Sequence, residues 1–265
     1  MSTVRQVRKT DAGAFAGFAG RLADAAAAAV LPYFRTQFVI DDKADLTPVT
    51  AADRAAETAM RELIESTHPD HGVVGEEFPA TRADAEYVWI LDPIDGTKSF
   101  VSGLPIFGTM IALTRRGHAI VGVIDQPYTK ERWIGVDGAG TTFNGKPARV
   151  RPCPTLARAV LMTTSAGLFD AKEEPAFQRL MRTCRINRLS GDCYAFALLA
   201  SGHADVVIDN TVKPHDFAAL VPVVEGAGGK ITDWDGQKLN MTRNARLLAT
   251  GDDAAHRAAI KLLAM

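Results

Sequence analysis

Apolar residues recur early in the chain at helical spacing. Phe15, Phe18, Leu22, Ala26 and Ala29 predict a helix over 11–33, and the Ala-rich run within it reads as a close-packed helix face. Residues 36–49 are irregular and polar. A second helix is expected from Thr50, with Ala56, Met60, Leu63 and Ile64 on its inner side. A short strand over 73–77 runs into the polar turn Gly75-Glu76-Glu77. The apolar, β-branched and aromatic run 87–91 predicts a buried strand, which Pro93 should end because it has no N–H for a ladder. Beyond Pro105 the pattern becomes β: strands are expected over 108–114, 119–125 and 131–136. Arg115-Arg-Gly117 and Gln126-Pro127 serve as turns, and Asn144-Gly145 is a hairpin signal.

The second half alternates strand and helix. Strands are expected over 159–164, 186–189, 204–209, 230–233 and 247–250. Helices are expected over 173–183, 193–201, 216–225 and 254–263. Such alternation indicates an α/β half with helices on the sheet faces. Residues 150–157 read as the crossover, dividing the chain into an antiparallel α+β half (1–150) and an α/β half (151–265).

Composition narrows the classes. With 265 residues, 47% of them hydrophobic, the chain can bury a large core. A formal net charge of −1 and no long Lys/Arg run leave no footprint for nucleic acid or a membrane surface. The pattern shows no stretch of membrane-spanning length and no leader-like start, so a cytoplasmic protein is expected. Cys153, Cys184 and Cys193 are odd in number and lack metal spacing, which reads as reduced thiols. Six scattered histidines disfavour zinc, so any metal is expected to be held by oxygen.

The densest chemistry lies in Trp89-Ile-Leu-Asp92-Pro-Ile-Asp95-Gly-Thr97-Lys-Ser-Phe100. Two carboxylates, the Ile94 carbonyl and the Thr97 hydroxyl converge within six residues, as a hard cation requires. The N–H groups of Gly96 and Thr97 suit an anion. A plain surface turn would use the same residue types. A phosphorylated aspartate of the haloacid-dehalogenase kind would place its acids at i and i+2. Here they stand at i and i+3 across a proline, which favours metal ligands over a nucleophile.

That stretch, extended to Gly103 and Pro105, resembles the first signature of the inositol monophosphatase superfamily of magnesium-dependent phosphatases. Lys213-Pro-His215-Asp216-Phe-Ala-Ala, running on to Gly226-Ala-Gly-Gly229, resembles its second, with His215 where Trp or Tyr is usual. The resemblance spans essentially the whole chain. It implies alternating helix and sheet layers (an α-β-α-β-α sandwich), a homodimer, and two or three Mg²⁺ ions held by Glu76, Asp92, the Ile94 carbonyl, Asp95 and Asp216. It also implies that Asp53 holds the Thr97 hydroxyl and that Glu76, Thr97 and Asp53 prepare an attacking water, with no phosphoenzyme formed. Thr50-Ala-Ala-Asp53 also has capping-box spacing, and the two roles are compatible. Glu77 is expected in an outer or solvent-facing position, His215 as a pocket wall, and Lys43 either near the metal loop or in solvent. A non-catalytic binding relative is disfavoured because no expected carboxylate or hydroxyl is missing.

Substrate is the finest distinction. Lys43-Ala-Asp-Leu-Thr-Pro-Val-Thr50, Gly122-Val-Ile-Asp-Gln-Pro127 with Glu131-Arg-Trp133, and Gly191-Asp-Cys-Tyr-Ala-Phe196 resemble the histidinol-phosphatase branch. Asp192 and Asp209 would favour a cationic substrate over a neutral inositol ring, and Asp95 and Asp216 are expected to contact the substrate as well. As plain structure, Asp192 would be a helix cap and Asp209 a strand-end turn residue. The alternatives are an inositol-1-phosphatase or a broad sugar phosphatase.

Overall fold

The computed structural model describes residues 9–36, 40–42 and 48–264. Lys43 and the side chain of Thr50, one half of the expected capping box, lie outside the described residues.

The helical spacing of the first apolar residues produces α1 (Lys9–Val30), followed by a 3₁₀ turn, Leu31–Tyr33. A small antiparallel ribbon of β1 (Ile40–Asp42) and β2 (Pro48–Thr50) leads into α2 (Ala51–Thr67). Phe18, Leu22, Ala26 and Val30 of α1, with Ala52, Ala56, Met60 and Ile64 of α2, form the apolar face of this layer. By length and apolarity Gly13–Tyr33 does reach the dimensions of a membrane span, contrary to the reading of the bare pattern. Here its buried stripe packs on α2 and a sheet, as in a core helix.

That sheet has seven strands in chain order: β3 (Gly72–Gly75), β4 (Tyr87–Asp95), β5 (Gly108–Arg115), β6 (His118–Gln126), β7 (Glu131–Val136), β8 (Gly140–Phe143) and β9 (Lys146–Pro147). Only β3–β4 is parallel; the rest is the expected meander. Asn144 and Gly145 close β8–β9 with φ of 47° and 77°, the positive values an Asn-Gly turn accommodates. Period-two alternation sends Trp89, Leu91, Ile111 and Leu113 toward α1 and α2. It sends Ile90, Met110 and Ala112 to the other face.

Pro93 does not end β4. Asp92 pairs with Met110 and Asp95 with Gly108, so β4 carries one extra residue at a bulge. The bulge tolerates the missing N–H, and the Pro93 carbonyl accepts from Thr109 Oγ1 at 2.8 Å. A five-residue helix not foreseen from the pattern, α3 (Thr97–Val101), follows directly.

The second sheet has the order β11-β10-β12-β14-β13: β10 (Val160–Met162), β11 (Ile186–Arg188), β12 (Val206–Val212), β13 (Lys230–Thr232) and β14 (Ala245–Thr250). It is mixed. β10 runs parallel to both neighbours, whereas β14 is antiparallel to β12 and β13. Between the sheets lie α5 (Asp192–Ala200), α6 (Pro214–Phe217) and α7 (Leu220–Gly226). On the far face lie α4 (Glu174–Thr183) and α8 (Asp253–Leu263). The order is thus α-β-α-β-α, with a core in each of the three helical layers.

The single helix expected over 216–225 is two, α6 and α7. Pro222 has no N–H to return to the carbonyl of Ala218, so the helix is interrupted there. α7 lies very close to the first sheet, and the neighbouring glycines Gly122 and Gly135 make this approach possible. A Cβ at Gly122 would stand 2.1 Å from the Ala219 carbonyl oxygen, and one at Gly135 2.3 Å from that of Pro222.

Candidate active site

Three carboxylates meet where the first sheet faces the middle helices. Ligand atoms of Asp92, Asp95 and Asp216 lie within 4.8 Å of one another. The β4 bulge turns Asp92 and Asp95 toward this point. Asp216 arrives from α6, where its Oδ2 also accepts the Lys213 N–H at 2.6 Å. The helix-start role and the cluster role therefore coexist in one side chain.

The electrostatics are unfavourable without a cation. Burial, then the charges of Glu76, Asp95, Asp216 and Asp53, push the Asp92 carboxyl well above the usual range. Burial and the charges of Asp192 and Asp216 do the same to Asp95, partly opposed by the Cys193 N–H. Asp216 is raised to about 6, mainly by burial. Asp92 Oδ1 is buried with no hydrogen-bond partner among the described residues. Like charges gathered out of water around an orphaned oxygen fit a bound hard cation, and all three members of the triad offer carboxylate oxygen.

The remaining expected residues fall around this triad. Glu76 stands 4.0 Å from His215 Nε2, which is 3.3 Å from Asp216 Oδ1. His215 thus sits between two of the acids instead of on the cavity wall. Asp53 is buried in the first turn of α2, near enough for its charge to act on Asp92. The Thr97 hydroxyl donates to the Ile94 carbonyl at 3.1 Å and not to Asp53. Gly96, with φ of 80°, caps α3, so its N–H and that of Thr97 open a helix that offers them no internal acceptor. Glu77 does not face solvent. Its side chain is 2% exposed and lies 3.7 Å from Arg54.

Glu57 was not anticipated. It is fully buried on α2, accepting the Glu77 N–H at 2.8 Å and Arg61 Nε at 2.7 Å. It thereby fixes the turn that carries Glu76. The available signal was Asp53, Glu57 and Arg61 at i, i+4, i+8 along the helix face that otherwise buries apolar residues.

Beside the acids lies a cavity of about 300 Å³ lined by Asp95, Lys98, Asp192, Asp209 and Asp216, with Phe196 and Leu247 among its apolar walls. Larger hollows of about 410 and 420 Å³ occur elsewhere, but neither touches the carboxylate triad. Asp192 is not a side-chain cap; it is the first residue of α5, and its Oδ2 accepts from Ser99 Oγ at 2.5 Å. Asp209 accepts from Thr163 Oγ1, Thr164 N and Thr164 Oγ1 at 2.8–2.9 Å, tying β12 to β10. Burial raises it to about 6 against those bonds. The three cysteines are free and buried.

The sequence pattern of the inositol monophosphatase family matches residues 13–264. A bifunctional phosphatase of Arabidopsis thaliana chloroplasts, IMPL2, is 46% identical over 97% of this chain and 77% of its own length. A histidinol-phosphatase of Chlorobaculum parvum is 39% identical over 82% of this chain and 85% of its own. Among solved structures, an inositol monophosphatase from Zymomonas mobilis superposes with a TM-score of 0.88 at 44% identity, covering 98% of this chain and all of that one. The chain belongs to the inositol monophosphatase family. It is a phosphoric monoester hydrolase.

Proposed function

We propose that the chain hydrolyses L-histidinol phosphate to L-histidinol and phosphate in histidine biosynthesis, using Mg²⁺. The observation that carries this reading is the charge of the cavity beside the triad: besides Asp95 and Asp216 it is lined by two further carboxylates, Asp192 and Asp209, against one lysine, Lys98. A phosphate placed at the triad leaves its organic part beside Asp192. A carboxylate there favours an ammonium or imidazolium over a neutral polyol.

Glu76, Asp92, the Ile94 carbonyl, Asp95 and Asp216 would hold two or three Mg²⁺ ions. When bound, the ions supply charge neutralisation for the phosphate and acidify an attacking water. The N–H groups of Gly96 and Thr97 would donate to phosphate oxygens. Glu76, Thr97 and Asp53 would orient the water, and its proton would pass to one of the two carboxylates, Glu76 or Asp53. Asp209, with both oxygens engaged by Thr163 and Thr164, shapes the wall, which leaves Asp192 as the principal contact for a cationic group. The same reading treats 1–150 and 151–265 as two halves meeting at the site of a cytoplasmic homodimer.

A second reading, inositol-1-phosphate or general sugar-phosphate hydrolysis, is favoured by the 44% identity to an inositol monophosphatase and by the bifunctional plant relative. Steady-state kinetics with Mg²⁺ on histidinol phosphate and myo-inositol 1-phosphate separate the two. The proposal expects the larger kcat/KM for histidinol phosphate, and a preference for the inositol ester overturns it.

A further inference from the structure

Asp192 has an unusual setting. It opens α5 with φ of 42°, in the left-handed region that non-glycine residues seldom enter. Asp is among the few residues that tolerate it. Its side chain leaves its own helix end and crosses to α3, where its Oδ2 accepts from the Ser99 hydroxyl at 2.5 Å. Gly96 lets it approach: a Cβ there would stand 2.7 Å from that same Oδ2. Ser99 is itself 7% exposed, so the contact is made out of water. Asp192 Oδ1 makes no hydrogen bond among the described residues, and the side chain lines the cavity.

We infer that Ser99 is a positioning residue for substrate charge: by occupying Oδ2 of Asp192 it fixes the carboxylate with Oδ1 directed at whatever occupies the cavity. The inference rests on the proposed preference for a cationic substrate. Lys98 lines the same cavity, and its charge already acts on Asp192 in this conformation. A carboxylate on a freely rotating Cβ would spread its charge over several rotamers. A pinned carboxylate presents one oxygen in one place, and the rotamer entropy has already been lost before substrate arrives. The two partners lie 93 residues apart in the chain, so the pair also couples α3, next to the phosphate cradle, to α5, next to the organic group.

The test compares wild type, Ser99→Ala, Ser99→Thr, Asp192→Asn and the Ser99→Ala/Asp192→Asn double variant on histidinol phosphate and myo-inositol 1-phosphate, each at saturating Mg²⁺. For Ser99→Ala the expected result is a KM for histidinol phosphate raised about tenfold. Its kcat, and both constants for the inositol ester, should stay within about twofold. Ser99→Thr, which keeps the hydroxyl, restores KM. In the double variant Ser99→Ala adds nothing to Asp192→Asn, because the hydroxyl acts through the carboxylate. Equal losses on both substrates, or an unchanged KM for histidinol phosphate, overturn the inference while leaving the substrate assignment in place. A wild-type enzyme that does not favour histidinol phosphate removes both.

Discussion

The backbone N–H of Cys193, in the first turn of α5, donates to Oδ2 of Asp95, at the end of β4, at 2.5 Å across 98 residues of sequence. A carboxylate of the first sheet is thus oriented by a helix of the middle layer. With Ser99–Asp192 beside it, α5 reaches the acid-bearing segment through two bonds. The site exists only when these layers are packed.

Removing a charge from the triad should abolish turnover and yet stabilise the metal-free protein. Asp92→Asn is expected to lower kcat/KM at least about 100-fold, the scale of losing a preorganised electrostatic partner. In chelator it should raise Tm by about 2–4 °C, equivalent to roughly 1 kcal/mol, because the buried like charges around Asp92 are relieved. Calorimetry with EDTA and with Mg²⁺ checks both signs. Mg²⁺ should raise the Tm of wild type far more than that of the variant.

The pH dependence of the metal-free protein follows from the same burial. Asp209 and Asp216 are raised to about 6 in the folded protein, above their ordinary value of 3.8, and burial raises Asp92 and Asp95 well above that ordinary value too. Raised carboxylates hold protons that the unfolded chain has already released. Their contribution to stability is therefore complete below about pH 4 and is lost as pH rises through 6, at about 1.4 kcal/mol for each unit of raised pKa. In EDTA the Tm should be higher at pH 5 than at pH 7.5, and Mg²⁺ should reduce or reverse that difference. A Tm in EDTA that rises steadily from pH 5 to 7.5 contradicts the site electrostatics.

Glu57 should matter for both stability and rate. Glu57→Ala leaves the Glu77 N–H and Arg61 without their buried acceptor, at a cost of about 3 kcal/mol. Because the turn carrying Glu76 loses its anchor, kcat should fall as well. Urea unfolding and kinetics on the folded fraction measure the two effects separately.

Two glycine substitutions should have opposite signs. Gly122→Ala drives a methyl into the Ala219 carbonyl and should cost more than about 3 kcal/mol, or prevent folding. Gly17→Ala, on the exposed side of α1 with nothing within 4 Å of its added Cβ, should stabilise by about 0.5–1 kcal/mol. Denaturant midpoints decide.

Hydrolysis in ¹⁸O-water under single-turnover conditions should place label in phosphate and none on the protein. Recovery of a phosphorylated aspartate would restore the nucleophile reading that the i, i+3 spacing of Asp92 and Asp95 argued against.

Periodicity located the long helices and most strands of both sheets, but not the β1–β2 ribbon, which lies in a stretch read as irregular, nor α3, nor the break between α6 and α7. The 3.6-residue recurrence in α1 and α2, the alternation in β4 to β7 and the Asn144-Gly145 turn are short-range patterns set by which face must be buried. The acids of β4 and α6 were likewise legible, because their motifs are contiguous. Tertiary structure decided what depends on neighbours far along the chain. Pro93 stays in its strand because β5 can pair around a bulge, and Gly13–Tyr33 becomes a core helix because α2 and a sheet cover one face. Glu57 is buried because the Glu76–Glu77 turn folds onto it. Asp192 faces Ser99 instead of capping its helix because α3 lies within reach. Local patterns record what each segment must bury. Only packing brings mutually repelling carboxylates from separate segments to within 4.8 Å and sets which of their oxygens remain open to a ligand.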